Sequence, residues 1–213
     1  MGDHWSEMTR FGVGLFALLN PFTVLSYVLF SAAGAGTRGI LAMAASTTVT
    51  MIVILLAMHF MGEAVLVTLG TSLPSFQIGG GLIILLSGLS MLNEPATTSA
   101  SGAPVIPSIG QLVKLGVAPL GIPMLAGAGA ITKVIIESHP EYGIEDDVLL
   151  ALIIVGVCVL SGAIIAASSV LVRILGPSFF SIVNRLSGLI IVAVAVEVMA
   201  KGVLAHVRGF SGG

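Results

Sequence analysis

Two proline-containing stretches within apolar sequence are the places where this chain could bind a small molecule. The first is Asn20-Pro21, within FALLNPFTVLSYV, and the second is APLGIPMLAGAGAITK, residues 118–133. Proline removes a backbone N–H and clashes with the preceding turn, so both stretches predict interrupted helices. An interruption exposes carbonyl groups at one helix end, which attract cations, and N–H groups at the next, which attract anions. Two facing interruptions could therefore hold both ends of a small zwitterion with few charged side chains.

The candidate substrate-binding residues lie at or just after these interruptions, and each has a structural alternative. Asn20 puts an amide at mid-span, where it needs a partner. That partner could be substrate, a neighbouring helix or the carbonyl freed by Pro21. The hydroxyls of Thr23 and Ser26 share a helix face and could line a cavity, although such hydroxyls commonly bond a carbonyl of their own helix. The full candidate set is Asn20, Pro21, Thr23, Ser26, Pro123, Gly127, Gly129 and Thr132.

Six segments nearly free of charge carry or surround these residues. Of the 213 residues, 56% are hydrophobic and 8% are charged, and the mean hydropathy is +1.14. A soluble domain has roughly a quarter charged residues, and about 20 apolar residues cross the hydrocarbon core of a bilayer. The sequence therefore predicts an all-α membrane protein with six transmembrane helices, and Phe11–Phe30 is interpreted as a retained span rather than a signal peptide. The spans lie between residues 10 and 38, 38 and 63, 63 and 94, 114 and 133, 147 and 173, and 185 and 204.

The chain reads as two related halves joined by a hydrophilic linker. Residues 95–109 are rich in Pro, Ser, Thr and Ala, which predicts a flexible connection between a first three-helix repeat, 1–94, and a second, 110–213. LGTSLPSFQIGGGLIIL, residues 69–85, resembles LGPSFFSIVNRLSGLII, residues 175–191, at the start of the third span of each half. Since three is odd, the second copy inserts upside down. The sequence thus predicts two inverted repeats with discontinuous helices one and four.

The distribution of charge leaves the orientation in the membrane nearly undecided. Four Lys and Arg residues lie on each side of the predicted bundle, so the positive-inside rule gives no preference. The side with both termini carries nearly all the acids, including the five carboxylates of residues 137–147, which are typical of a solvated loop. We expect a multi-pass inner-membrane protein, with a mild preference for periplasmic termini.

Several functional classes are disfavoured by the composition and by the motifs that the sequence lacks. A net charge of −2 offers no basic field for nucleic acid. The single cysteine, Cys158, lies in an apolar run and is predicted to be a small buried hydrophobe. The sequence has no Cys/His cluster with metal-ligand spacing, no phosphate loop and no nucleophile–base pair, so we expect no metal, no cofactor and no enzymatic activity. The bilayer is an expected partner, and a homo-oligomer is compatible with the sequence.

The remaining polar residues within the spans have structural interpretations. Glu197 and Lys201 have the spacing of a salt bridge along a helix near the interface. Lys133 is expected to extend its stem to the interface at the end of span four. Residues 46–50 hold four hydroxyls that could ligate an ion, although hydrogen bonds between helices are favoured. Gln77 could face a cavity, but the three glycines beside it favour close helix packing.

The interrupted segments resemble a known family. NPFTVLS at residues 20–26, LGTSLPSFQIGGGLIIL at 69–85 and APLGIPMLAGAGAI at 118–131 are similar to segments of the MarC family of six-helix inner-membrane proteins. The resemblance covers essentially the whole chain. The family includes SnatA-type transporters of small neutral amino acids such as glycine and alanine, and the resemblance implies the same fold and a substrate site at the broken helices.

Three positions depart from the family pattern. Ser26 and Ala128 stand where the family has proline, and both follow their half's shared proline by the same interval. Thr23 stands where the family has glycine, which adds bulk close to the first interruption. These replacements weaken the helix-breaking signal in both halves, so they bear on substrate and activity more than on fold.

The function expected from the sequence is secondary transport of a small neutral amino acid across the inner membrane. An exporter of amino acids or other small metabolites has the same architecture, since sequence does not set the direction. A non-transporting structural membrane protein, with broken helices that serve packing alone, remains an alternative from another class. Stabilisation by a bound solute would distinguish a transporter from this last alternative.

Overall fold

Helices make up nearly all of the computed structural model, which describes residues 2–32, 35–68, 70–93, 107–138 and 144–211, and no strand occurs within those ranges. Eight regular helices are present in the described chain. They are α1 (Gly2–Leu19), α2 (Leu25–Ser31), α3 (Gly36–Thr68), α4 (Leu73–Asn93), α5 (Ile109–Leu115), α6 (Ala128–Glu137), α7 (Ile144–Ala166) and α8 (Ser168–Ser211). The all-α fold predicted from composition is therefore confirmed.

Four of these helices contain apolar stretches long enough to cross a bilayer, at residues 36–62, 73–90, 145–166 and 185–208. They coincide with predicted spans two, three, five and six. Predicted spans one and four are divided by the interruptions that follow α1 and α5, so neither contains a single long apolar helix. The helical breaks are thus confirmed, and the total of six spans stays a prediction.

Residues 94–106, which include most of the predicted linker, lie outside the described residues, as do residues 139–143 of the predicted acidic loop. The described chain resumes at Pro107, and α5 begins at Ile109, one residue before the predicted start of the second repeat. Ser108 forms a reciprocal cap with Gln111, whose N–H donates to the serine hydroxyl at 3.3 Å while its side chain accepts from Ser108 N at 2.8 Å. This capping box fixes the start of the helix.

The long helices α3 and α7 pack with opposite directions. A Cβ added to Gly162 of α7 would overlap the Thr48 hydroxyl of α3, so the two backbones approach closely there. Further along α3, the buried His59 donates from Nε2 to the carbonyl oxygen of Asp147 at 3.2 Å. Its Nδ1 lies 2.6 Å from Ser138 Oγ, so one imidazole joins α3 to the C-terminal end of α6 and to the start of α7.

Helix α4 packs antiparallel along the second part of α8. A Cβ at Gly81 would lie 2.5 Å from Met199 Cγ, and one at Gly88 would lie 2.9 Å from Val192 Cγ2. A Cβ at Gly202 would lie 2.9 Å from Gln77 Cβ, so Gln77 lies on the α8-facing side of α4. The interpretation of the three glycines beside Gln77 as a close-packing surface is confirmed for Gly80 and Gly81, whereas nothing lies within 4 Å of a Cβ at Gly79.

The described apolar side chains separate into a buried core and an exposed belt. Fully buried leucines and methionines from α1, α3 and the segment between α5 and α6 form one contiguous core, which includes Leu15, Leu19, Met43, Leu55 and Leu120. Large apolar side chains such as those of Val49, Val53, Leu152 and Val159 are exposed on the long helices. That distribution suits helices that contact lipid on one face and each other on the opposite face.

Candidate functional site

The first interruption separates α1 from α2. The N–H of Asn20 closes α1 by donating to Phe16 O at 2.9 Å, and Asn20 itself has a φ of 35°. This left-handed region is one that asparagine enters more readily than most residues. Thr23 holds the turn, because its N–H at 3.2 Å and its Oγ1–H at 2.8 Å both donate to the carbonyl of Asn20. Asn20 is only 1% exposed, so the interruption lies within the core.

The second interruption spans residues 116–127, between α5 and α6. Ala118 (φ −140°, ψ 129°) and Ile122 (φ −132°, ψ 126°) are extended inside an otherwise helical path. Each precedes a proline, whose ring disfavours the helical conformation in the residue before it. The hydrogen bonds widen accordingly, and Ala126 N donates to the carbonyl of Gly121, five residues back, at 2.9 Å. The two prolines therefore explain the irregular backbone directly.

Thr47 of α3 fastens this irregular segment to the bundle. Its fully buried Oγ1 lies 2.9 Å from the carbonyl oxygen of Gly116 and 2.8 Å from that of Met43 in its own helix. A carbonyl at membrane depth needs such a partner. Hydrogen bonding between helices, the favoured interpretation of this hydroxyl cluster, is confirmed for Thr47 but not for its other members, which donate to carbonyls of their own helix: Ser46, Thr48 and Thr50.

Helices α1 and α6 lie side by side with opposite directions, which brings the two interruptions together. A Cβ at Gly14 would lie 3.3 Å from Lys133 Cε, and a Cβ at Gly129 would lie 3.3 Å from Leu18 Cδ2. Continued for half a turn, this register sets the C-terminal end of α1 beside Gly127, the residue that precedes α6. The partial negative charge of one helix end thus lies next to the partial positive charge of another. The first-turn N–H groups of α6 have no acceptor within their own helix.

Four of the eight candidate residues are buried at or near these adjacent ends. They are Asn20, Pro21, Gly129 and Thr132. The Thr132 methyl occupies the space that a side chain at Gly80 of α4 would need, because a Cβ there would overlap Thr132 Cγ2. Thr132 therefore joins α6 to α4 one turn beyond the interruption.

The other four candidates are arranged less uniformly. Gly127 is half-buried and begins α6 from an extended conformation, with φ −77° and ψ 177°. Thr23 is exposed, and its hydroxyl is bonded to Asn20 as the structural alternative anticipated. Ser26 lies within α2 and Pro123 within the second interruption, and their side chains fall outside the described residues. The structure thus brings Asn20 close to the start of α6, whereas Thr23 stabilises the turn that follows Asn20.

A buried hydroxyl on α7 is a feature that sequence reasoning missed. Ser161 is fully buried, and its Oγ has no hydrogen-bond partner among the described residues. A Cβ at Gly12 of α1 would lie 3.2 Å from Ile153 Cγ2 of α7. These helices run in the same direction, because α1 is antiparallel to α6, α6 is parallel to α3 and α3 is antiparallel to α7. Asn20 lies eight residues after Gly12, and Ser161 lies eight residues after Ile153, so Ser161 is at a similar depth to the first interruption.

A charged cavity of about 440 Å³ lies between α1, α6 and α8. Its lining includes three acids and three bases, namely Glu7, Arg10, Lys133, Glu137, Glu197 and Lys201. The Glu197–Lys201 salt bridge predicted from spacing is confirmed, with Glu197 Oε1 3.1 Å from Lys201 Nζ.

The expectation that Lys133 reaches the interface is wrong. Its residue is 6% exposed, and Nζ donates to Glu137 Oε1 at 2.6 Å while lying 5.8 Å above the centre of the Phe11 ring. Gly14 leaves room for the lysine stem against α1, so the ammonium finds a carboxylate and an aromatic face before it reaches the surface. The i,i+4 spacing of Lys133 and Glu137 was the signal in the sequence that could have revealed this pair.

Within the described residues, no group of three or more His, Cys, Asp or Glu side chains is placed to hold a metal ion. Cys158 is a free thiol with no exposed surface, which confirms its interpretation as a small buried hydrophobe. The chemistry available at the interruptions is therefore that of backbone dipoles, one amide and hydroxyl groups.

Comparison with known families adds an independent finding. The model of the MarC family of integral membrane proteins matches residues 5–207, which is nearly the whole chain. The chain belongs to the MarC family. The predicted membership and the multi-pass inner-membrane location are both confirmed, the latter by four helices of spanning length and by relatives named as inner membrane proteins.

Relatives of this MarC-family chain extend across bacteria and archaea. A UPF0056 membrane protein of Methanocaldococcus jannaschii is 30% identical over 192 residues, covering 89% of this chain and 92% of the relative. A UPF0056 membrane protein of Aquifex aeolicus is 26% identical over 202 residues, covering 92% and 94%. The UPF0056 inner membrane protein MarC of Citrobacter koseri is 26% identical over 212 residues, covering 93% and 96%. None of these three names states a substrate, and no solved structure matches the chain.

Proposed function

We propose that this MarC-family protein is a secondary transporter of small neutral amino acids, which it binds between the two helix interruptions. The observation that carries the proposal is the antiparallel contact of α1 and α6, with Leu18 against Gly129. That contact sets a helix C-terminal end beside a helix N-terminal end within the buried part of the bundle. Irregular backbone at membrane depth is tolerated where it is buried in protein or lines a cavity. Secondary transporters use such discontinuous helices to hold substrate and coupling ions near the midplane.

The polarity of the two ends matches an amino acid. The first-turn N–H groups of α6 would receive the carboxylate, as helix N-termini commonly do for anions. The carbonyl groups at the C-terminal end of α1 would receive the ammonium. The buried amide of Asn20 and the buried hydroxyl of Ser161 supply further polar groups at this depth. Because residues 126–130 are all glycine or alanine, they leave room for a small side chain and favour glycine or alanine as substrate.

A pair of contacts between α4 and α8 supports the inverted repeat that such a transporter needs. A Cβ at Gly81 would lie 3.3 Å from Ala195 O, and one at Gly88 would lie 3.0 Å from Gly188 O. An offset of 107 residues relates Gly81 to Gly188 and Gly88 to Ala195. Antiparallel packing makes the two contacts exchange when the halves are exchanged, and the same offset of 107 residues relates Gly81-Leu82-Ile83 to Gly188-Leu189-Ile190 in the sequence. In this account the protein has six spans, each interrupted helix counting as one.

Alternating access follows from the same arrangement. One repeat would rock against the other about the α3–α7 and α4–α8 contacts, opening the site first to one side and then to the other. The apolar, close-packed α4–α8 surface could slide with few polar bonds to break. By contrast, the Thr47–Gly116 bond joins the first repeat to the second, so it would lie at a pivot of the motion.

Uptake of labelled glycine and alanine by proteoliposomes tests the proposal, with and without an imposed pH gradient. We expect saturable uptake by the native protein and loss of uptake in Asn20→Ala and Pro123→Leu. Gln77→Ala is the matched amide control, because Gln77 lies against Gly202 of α8 rather than at the interruptions, and it should transport normally.

Two outcomes of the uptake experiment would contradict the proposal. One is absence of uptake and of solute-dependent stabilisation in a correctly inserted protein, which would favour the structural alternative. A bound solute stabilises a protein in proportion to the logarithm of its excess over Kd, so a thermal-unfolding series in alanine detects even slow transporters. The other is undiminished uptake by Asn20→Ala, which would show that the first interruption does not take part in transport.

A further inference from the structure

The charged cavity between α1, α6 and α8 has the size and composition of a binding site. Its volume of about 440 Å³ falls within the roughly 300–1,000 Å³ that is usual for small-molecule pockets. It lies where α1 begins and where α6 and α8 approach their C-terminal ends, which is the face of the bundle that carries both termini. Apolar side chains such as those of Val13, Ile190 and Val194 complete its walls.

The charges of this cavity are evenly divided among its walls. Each of the three helices contributes one acid and one base, so the six ionisable side chains sum to zero. A cavity of this kind favours neither a net anion nor a net cation. It suits a neutral solute with separated charges, since each charged end finds a partner of opposite sign.

Lys133 gives the cavity a fixed cation at its inner end. Its Nζ is held by Glu137 at 2.6 Å and by the Phe11 ring at 5.8 Å, and the side chain is 8% exposed. An ammonium has three N–H donors, so one salt bridge leaves capacity for a ligand carboxylate. Because these contacts already hold the lysine side chain in one position, binding a ligand would cost little further side-chain entropy.

We infer that the charged cavity is a second binding site for a zwitterionic α-amino acid, with Lys133 receiving the carboxylate and Glu197 the ammonium. This inference rests on the proposed function for the identity of the solute. It assigns a further site, on the way to the first. Lys133 lies four residues beyond Gly129 on α6, about 6 Å along the helix, and Gly14 lies six residues before Asn20 on α1, about 9 Å. The cavity is therefore the vestibule of the interruptions on this face.

Equilibrium binding of labelled alanine to purified protein in phosphatidylcholine nanodiscs tests the vestibule without requiring transport. The binding is measured in an Asn20→Ala background, which weakens the inner site. We expect saturable binding to persist there and the Kd to rise about tenfold or more with Lys133→Met, because a hydrogen bond to a charged group is lost. Lys133→Arg should retain most of the affinity. Lys114→Met, which removes an exposed lysine of α5, should leave it unchanged.

Glu197→Gln keeps the experiment decisive if removing Lys133 impairs folding. Glu197 is exposed, so this isosteric change should leave the fold intact while weakening the binding of alanine. Propionate, which lacks the ammonium, and alanine methyl ester, which lacks the carboxylate, should compete poorly. A lipid headgroup shares the zwitterionic chemistry, and competition by glycerophosphoethanolamine but not by alanine would overturn the inference.

The uptake assay separates this inference from the proposed function. If both hold, Lys133→Met raises the KM for alanine with little change in maximal rate, whereas Asn20→Ala lowers the maximal rate. Alanine binding that depends on Lys133 without any uptake would support the vestibule and contradict transport. Normal uptake with an unchanged KM in Lys133→Met and Glu197→Gln would support transport and overturn the vestibule.

Discussion

Replacing Thr47 with valine isolates the one described side-chain bond between α3 and the second interruption. The native hydroxyl is fully buried and shares its proton between the carbonyl oxygens of Gly116, at 2.9 Å, and Met43, at 2.8 Å. Valine has nearly the same shape, so Thr47→Val leaves the packing in place and removes the bond. The carbonyl of Gly116 then loses its bond to α3, beside an irregular stretch of backbone.

The expected loss of stability follows from the measured contribution of hydrogen bonds between membrane helices. Hydrogen bonds between membrane helices contribute about 0.6 kcal/mol on average and up to about 1.7 kcal/mol. Since Thr47 is fully buried but its proton is shared, we expect Thr47→Val to lower the free energy of unfolding by about 1 kcal/mol. For a chain of 150–250 residues, this corresponds to a fall in Tm of about 2–4 °C.

Circular dichroism in detergent micelles measures the difference, with Thr50→Val as the matched control. The Thr50 hydroxyl donates at 2.8 Å only to Ser46 O, within its own helix, so its loss should cost little. Thr47→Val should also raise the KM for alanine, because the second interruption is less firmly held, whereas Thr50→Val should not. Equal Tm changes for the two variants would refute the reasoning that a bond between helices fastens the interruption.

Two further substitutions test the packing of α4 against α6 at Gly80 and the role of the buried Ser161 hydroxyl. Gly80→Ala should destabilise the protein by about 1–3 kcal/mol, the usual cost of overpacking, because its Cβ would overlap Thr132 Cγ2. Gly79→Ala is the control and should be tolerated, because nothing lies within 4 Å of a Cβ there. Thr132→Ser, which removes the overlapping methyl, should rescue Gly80→Ala in a thermal-unfolding assay, and failure of the rescue would contradict the packing. Ser161→Ala should leave Tm unchanged or raise it, because a buried unpartnered hydroxyl is removed, yet should weaken alanine binding; unchanged affinity would exclude Ser161 from the site.

The parts of the fold that were predictable from sequence are those with local causes. Proline disfavours the helical conformation in the residue before it, so the interruptions at Pro21 and before Pro123 could be anticipated from the sequence, although Pro177 lies within α8. Uninterrupted apolar length predicted the four long helices. The Glu197–Lys201 pair needed only the geometry of one helix.

The parts that were not predictable depend on residues far apart in the chain. Lys133 is buried because Gly14 and Phe11, more than a hundred residues earlier, shape the surface against which it lies. The depth of Ser161 similarly depends on the α1–α7 register. The charged cavity combines three helices whose acids and bases look scattered in the sequence.

The two segments whose likeness suggested a repeat also differ locally. Gly70, with a φ of 63°, forms a turn before α4, whereas residues 175–191 all belong to the helix α8. Similar sequence therefore adopts a turn in one half and a helix in the other. What the structure adds is the antiparallel packing of α4 against α8, the direction that an inverted repeat requires.

The central claim is that the ends of α1 and α6 form one substrate site, and a double-mutant cycle on alanine binding tests it most directly. Binding to nanodisc-embedded protein is measured for the Lys133→Met variant, in which the vestibule is silenced, and for that variant with Asn20→Ala, with Gly129→Ala and with both. A methyl at Gly129 would lie 3.3 Å from Leu18 Cδ2 and would add bulk where the two helix ends meet. We predict that each single change raises the Kd for alanine, and that the Kd of the double variant is close to that of the single variant with the lower affinity. Losses that add in full, or no saturable alanine binding before either change, would contradict a shared site.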